Sequence, residues 1–214
     1  MLGRIPRAAD RDADSSAFDA IKVKIRMKVQ NEVFISVDVE TSGPIPGEYS
    51  MLSIGACLVD APETNFERKL KPLNRNADPE ALAVTGFSLE ELEQNGTEPR
   101  QAMTEFDAWV KAAGREGDVP VFVGLNAPFD WSFVNYYFHR FHGENPFGFT
   151  ALDIKAYYMG VMGSSWRDTR SSAMAGRLHP AQKGNHNAVQ DAVYQAELFR
   201  LTREHGQKGG RWQL

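Results

Sequence analysis

Residues 21–29 alternate strictly: Ile21, Val23, Ile25, Met27 and Val29 are apolar, with Lys22, Lys24, Arg26 and Lys28 between them. Alternation with period two predicts a strand with a basic outer face. Three readings of it stand: an edge strand kept soluble by its lysines, a strip that contacts phosphates, or an extension upstream of a natural start at Met27. From residue 33 three more strands are predicted, VFISVDV, SMLSIGACLVD and NFERKLKPL, joined by short polar turns and paired antiparallel. Then the period lengthens. DPEALAVTGFSLEELEQN predicts short helical pieces, with Ser88 capping the second, and PRQAMTEFDAWVKAAG an amphipathic helix bounded by Pro99 and Gly114. VPVFVGL predicts a buried strand and PFDWSFVNYYFHRFHG a helix opened by Pro128 and closed by Gly143. FTALDI adds a short strand and HNAVQDAVYQAELFRLTREHG the last helix. Strands followed by alternating helices and strands imply an α/β fold, a mixed β-sheet with helices on both faces.

Composition narrows the class. A chain of 214 residues suits one domain, with residues 1–20 as a flexible N-terminal tail and 21–214 as the folded part. Its 42% apolar and 11% aromatic content suffices for a core. No apolar run approaches the roughly 20 residues of a membrane span. Residues 1–20 mix Arg and Asp and do not read as a secretory signal. The one cysteine, Cys57, lies in an apolar run and reads as a small core residue, which fits a cytoplasmic location. The net charge of −4 argues against a protein that coats long nucleic acid by charge alone. A small acidic enzyme that grips only a strand end remains compatible.

Three short elements carry candidate chemistry. Asp38 and Glu40 in VDVETSGP are at i and i+2 of a strand, on one face and about 6–7 Å apart. Val33, Ile35, Val37 and Val39 fill the opposite face, so both carboxylates cluster at the strand's carboxyl end. Carboxylates so placed repel each other and call for a cation, although D-x-E is common by chance. In FVGLNAPFDWSFV, Asn126-Ala127 turns the chain and Asp130 falls in the first turn of a helix, where the dipole favours an acid in any case. In GNHNAVQDAVYQAEL, Asn187 is an N-cap with Gln190 three residues on, which puts Asp191 in the first turn and His186 just outside. His186 precedes Asp191 by five residues, a spacing that suits a loop histidine hanging over a helix-borne ligand.

Singly each element is weak; the ordered set resembles the three exonuclease motifs of the DEDDh family. That family includes proofreading subunits of bacterial replicative polymerases, ribonuclease T and oligoribonuclease. The resemblance runs from about Val33 to Leu201. It implies a ribonuclease H-like fold, with residues 21–214 as an exonuclease domain. It also implies 3′→5′ hydrolysis of DNA or RNA at a site holding two Mg²⁺ or Mn²⁺ ions. The ligands it implies are Asp38, Glu40, Asp130 and Asp191, with His186 as general base. Backbone groups of Thr41, Ser42 and Gly43 and the side chains of Asn126 and Phe129 are its candidate substrate contacts, although Phe129 serves equally as core. The implied partner is a single-stranded nucleic acid 3′ end, with a homodimer or a polymerase complex as the assembly. Two positions depart from the usual pattern: Pro44 follows Gly43 where many members carry a bulky aliphatic residue, and Leu125 stands where many carry His. Both bear on substrate preference more than on catalysis.

Other readings are a catalytically silent nucleic-acid-binding or polymerase-associated module of the same fold, and a metal-binding structural domain. The third explains neither the histidine spacing nor the motif order. Residues 160–185, with Arg167, Arg170, Arg177 and Lys183, read either as a lid that delivers His186 or as a solvated loop with one short helix. Trp166 in it stacks on a base or folds onto the core. Phe133, Tyr137, Phe138 and Phe141 sit at helical spacing and read as core.

Overall fold

The computed structural model describes residues 31–208. The tail expected at 1–20, the basic strand expected at 21–29 and the candidate start at Met27 lie outside the described residues. Strands β1 (Glu32–Thr41), β2 (Met51–Leu58), β3 (Ala61–Lys69), β4 (Val119–Gly124) and β5 (Ala151–Asp153) form one sheet in the order β3-β2-β1-β4-β5. β1, β2 and β3 pair antiparallel, whereas β4 runs parallel to both β1 and β5. Among the described residues the α-helices are α1 (Pro79–Thr85), α2 (Leu89–Asn95), α3 (Pro99–Ala113), α4 (Ala127–Tyr137), α5 (Ile154–Met162), α6 (Ser171–Leu178) and α7 (Ala188–Lys208). This is the mixed, ribonuclease H-like sheet that the sequence implied.

Alternation in β1 divides the molecule into two cores. Ile35, Val37 and Val39 face one side with Met51, Ile54 and Phe122, and are covered by Phe106 of α3 and by Phe133, Val134 and Tyr137 of α4. Phe34, Cys57 and Val123 face the other, covered by α5, Met174 of α6, and Ala192, Ala196 and Phe199 of α7. Helices therefore cover both faces. Phe133, Tyr137 and Phe138 are buried and Phe141 packs against them, as their spacing predicts. Cys57 is a fully buried core residue, and burial pushes its thiol up to about 12.

The caps follow the expected chemistry. Ser88 accepts from the Glu91 N–H at the start of α2, and Pro99 opens α3. The helix predicted from Pro128 begins one residue earlier and ends in a π-helical turn over Phe138–His142. β3 begins earlier than expected because it can tolerate Pro62: it is an edge strand, and Pro62 falls in a register shift where it pairs with no residue of β2. The segment 160–185 is mostly exposed and carries one short α-helix, as the second of its two readings expects. It closes α5, makes a 3₁₀ turn at Trp166–Thr169, forms α6, and is pinned by the buried Thr169 and Met174. Trp166 is 55% exposed, with the Lys155 ammonium 4.3 Å from its ring centre, so it is not folded into the core. No helix among the described residues is long and apolar enough to cross a membrane.

Candidate active site

β1 is the central strand, and its acidic face lies under α7. Asp38 pairs in register with Gly55 of β2, and Glu40 with Ser53. A glycine is needed opposite Asp38: a Cβ on Gly55 would lie 2.2 Å from the backbone carbon of Ala188. The first turn of α7 rests directly on the β2 backbone there, which carries Asp191 down to the two β1 carboxylates. Between Glu40 and Thr41 the β1–β2 register shifts, an irregularity of the kind that re-aims side chains beside active sites.

Asp130 arrives from the other side. β1 and β4 are paired only as far as Ser36 and Val123. Beyond that point the β4-side edge of β1 is open, and Asp130 Oδ1 accepts from the Val39 N–H at 3.1 Å. The carboxylate is thus tied to the residue between Asp38 and Glu40. The α4 start is held in turn by Asp153, whose Oδ2 accepts from the Ala127 N–H at 2.8 Å while its Oδ1 caps α5 through the Ala156 N–H. Asp153 was not singled out in the sequence; its only signal was an acid at the end of a strand and the start of a helix.

α7 holds the histidine loop with two carboxylates. Asp191 accepts from the backbone N–H groups of Asn185 and His186, at 2.8 and 2.9 Å. Glu197 accepts from those of Ala181 and Gln182, at 3.0 and 2.8 Å. Asn187 caps the helix through the Gln190 N–H. His186 itself is exposed with φ +61°, and Asn126 has φ +69°. Left-handed backbone is uncommon outside glycine and concentrates at functional sites. Glu40, His186 and Asp191 each bring a ligand-capable atom within 4.8 Å of the others.

The electrostatics follow from this crowding. Burial, then the charges of Asp130, Glu40 and Asp191, raises the Asp38 carboxyl well above its ordinary range. Burial and then Asp191 raise Glu40 to about 7, and burial foremost raises Asp130 to about 7 against the Val39 N–H that lowers it. No Lys or Arg is among the causes of these shifts. Ser53, opposite Glu40, has a buried hydroxyl with no hydrogen-bond partner among the described residues. Clustered carboxylates whose shifts no Lys or Arg among the described residues offsets, all hard oxygen donors with an unsatisfied hydroxyl alongside, fit hydrated divalent cations.

A cleft of about 710 Å³ opens over these groups, lined by Asp38, Leu125, His179, Lys183, His186 and Asp191 among others. Of the candidate substrate contacts, Asn126 is exposed at the turn and Phe129 is partly buried, 5.4 Å from Phe133. Gly43 abuts the Tyr49 ring, and the Thr41 hydroxyl donates to Gly43 O. Ser42 is fully buried: its N–H donates to Ser50 O and its hydroxyl to Asn76 O. Both Ser42 donors are thus engaged inside the protein, where they brace the strand end.

Residues 35–199 match the RNase T exonuclease family. The chain belongs to that family and is a phosphodiester hydrolase of the DEDDh 3′→5′ exonuclease type. It is 55% identical, over 82% of its length and 94% of the relative's, to the 3′-5′ DNA exonuclease Cap18 of Escherichia coli. Its fold is similar to the nuclease domain of 3′hExo, a DEDDh family member bound to rAMP, with TM-score 0.67 at 14% identity over 86% of this chain and 96% of that one. It is also similar to E. coli Exonuclease I in complex with a dT13 oligonucleotide, with TM-score 0.65 at 16% identity over 84% of this chain and 43% of that one. Membership of the family implies dependence on divalent metal.

Proposed function

We propose that the protein removes nucleotides one at a time from the 3′ end of single-stranded DNA, using Mg²⁺ or Mn²⁺. The observation that carries the chemistry is the convergence of Asp38, Glu40, Asp130 and Asp191 beneath a cleft whose rim is His186. DNA is favoured over RNA because the relative with 55% identity is a DNA exonuclease. A cleft open along one side, rather than an enclosed pocket for a free nucleotide, suits a strand end.

In this reading Asp38, Glu40, Asp130 and Asp191 would hold the divalent ions. When bound, the ions neutralise the phosphodiester and favour ionisation of the attacking water. Asp130, fixed to the Val39 N–H, and Asp191, fixed to the loop amides, enter with their directions already set. His186 removes the water's proton, a task that a neutral imidazole at the cleft rim suits. Lys183, on the cleft wall, faces the phosphates of the departing strand end.

The test uses 5′-labelled linear and circular single strands of DNA and a matching linear RNA. The linear DNA yields a ladder of shortening products with Mg²⁺ or Mn²⁺ and none with EDTA, and the circle stays intact. Efficient cutting of the circle would replace the exonuclease reading with an endonuclease. Faster digestion of the RNA would overturn the DNA assignment.

A further inference from the structure

One buried side chain in the cleft belongs to none of the motifs. Gln195 lies one helical turn beyond Asp191 on α7, on the same face. It is 4% exposed although both ends of its amide are polar. Its Oε1 accepts from the Leu125 N–H at 2.8 Å, and its Nε2 donates to Asp38 Oδ1 at 2.5 Å. We infer that Gln195 is a positioning residue that fixes the Asp38 carboxylate for the hydrolytic reaction.

The amide's orientation is dictated. A backbone N–H can only donate, so the oxygen of Gln195 must face Leu125, and its NH₂ must face Asp38. That engages Asp38 Oδ1 as an acceptor on a residue that lines the cleft. Little else sets this torsion. The terminal torsion of an aspartate is broad, and Asp38 has only a glycine opposite it on β2. Leu125 closes β4 and begins the turn to Asp130, so Gln195 ties together β1, the β4–α4 turn and α7. Those are the three elements that bear the acidic motifs. A purely structural amide would need only the Leu125 bond. The Asp38 bond is what makes this residue relevant to the chemistry.

The inference rests on the metal-holding reading of Asp38, and two variants test it. Gln195→Glu, assayed well above neutral pH so that the carboxyl is ionised, keeps the length and the acceptor for Leu125 but removes the donor to Asp38. Gln195→Leu removes both bonds without adding charge. Each is assayed for thermal melting, for Mn²⁺ binding by calorimetry without substrate, and for kcat and KM on a 5′-labelled DNA strand. Loss of an outer partner of a metal ligand typically lowers affinity or activity about 10–100-fold. Both variants should therefore lose roughly that factor in kcat or in Mn²⁺ affinity, with the DNA KM little changed. Wild-type kcat and Mn²⁺ affinity in Gln195→Glu would overturn the inference, since Leu125 alone would then explain the residue. The same values in Gln195→Leu would also overturn it, since the glutamate's effect would then come from its added charge. Should Gln195→Leu not fold, Gln195→Met, which keeps the side chain's length and likewise removes both bonds without adding charge, takes its place. Failure of the wild type to shorten DNA would sink the proposed function instead, which keeps the two outcomes apart.

Discussion

Gly55→Ala is the sharpest test of how the site is assembled. Alanine is usually the better residue in a strand interior, by roughly 0.5–1 kcal/mol, so a generic expectation is a small gain in stability. The structure gives the opposite sign. The added Cβ would lie 2.2 Å from Ala188 C and Val189 N and 2.4 Å from Ala188 O, all backbone atoms that no rotamer change can move. Ordinary contact between carbons begins near ~3.4 Å, so the start of α7 must retreat by about 1.2 Å. Overpacking of this kind costs about 1–3 kcal/mol, which in a domain of this size lowers the melting temperature by roughly 3–10 °C. The retreat also lifts Asp191 away from Asp38 and Glu40. A misplacement of about 1 Å in a catalytic constellation costs on the order of 10²-fold in rate. The assay pairs thermal melting with kcat on a 5′-labelled strand at saturating Mn²⁺. A variant with wild-type kcat, whatever its melting temperature, would show that α7 does not set the carboxylate spacing through Gly55.

Asp38→Ala should abolish cleavage yet melt no lower than wild type, because it removes a carboxylate that burial and three like charges disfavour; near-normal turnover would refute its role. His186→Ala should keep Mn²⁺ and DNA binding and lose roughly 10²–10⁴-fold in kcat; loss of Mn²⁺ binding would make His186 a ligand instead of a base. The metal-free protein should also lose stability as pH rises. Glu40 and Asp130 titrate near 7 when folded but near 4.5 and 3.8 in an unstructured chain, so the folded state holds more protons across that window. Raising pH through the window therefore favours unfolding. The melting temperature in EDTA should fall from pH 5.5 to pH 8, and Mn²⁺ should remove most of that fall; a flat or rising curve in EDTA would contradict the carboxylate crowding.

Much of this was legible because short-range pattern carried it. The two faces of β1 follow from alternation, so the side on which Asp38 and Glu40 lie could be read directly. Ser88 and Asn187 were legible as caps because a side chain two or three residues from an N–H has few places to go. What was not legible depends on pairs far apart in the chain. Gly55 read as one more small residue in an apolar run; its need appears only once α7 crosses β2. Gln195 and Glu197 looked like ordinary polar positions, because the groups they bind lie 15 to 157 residues away, and Asp153 showed only its cap, since the Ala127 N–H it also holds is 26 residues away. Ser42 is a different case: it stands among motif residues, and the turn that follows β1 takes both its donors inward. In the segment 160–185 the glycines and serines indicated solvent correctly, since most of it is exposed; the burial of Thr169 and Met174, which pins it, was not legible.

The sheet order explains why motifs so far apart can meet at all. β1 is flanked by an antiparallel neighbour on one side and a parallel one on the other, so the chain leaves β1 toward β2 and returns through β4. Clefts in open α/β sheets form outside the carboxyl ends of strands, where connections diverge. Here the carboxyl end of β1 supplies Asp38 and Glu40, and the carboxyl end of β4 leads into Asp130. Neither element can close the cluster. α7, the last helix, packs on the side of the sheet that those two carboxylates face, and it does so over a strand thinned by Gly55. Its first turn therefore sets Asp191 against the β1 pair, its second sets Gln195 between Asp38 and Leu125, and its carboxylates gather the loop that ends in His186. Because every one of those contacts comes from one rigid helix, a shift of α7 disturbs the ligands and the base together. Substitutions along its sheet-facing side should then depress rate more than stability, in proportion to how far they move its first two turns.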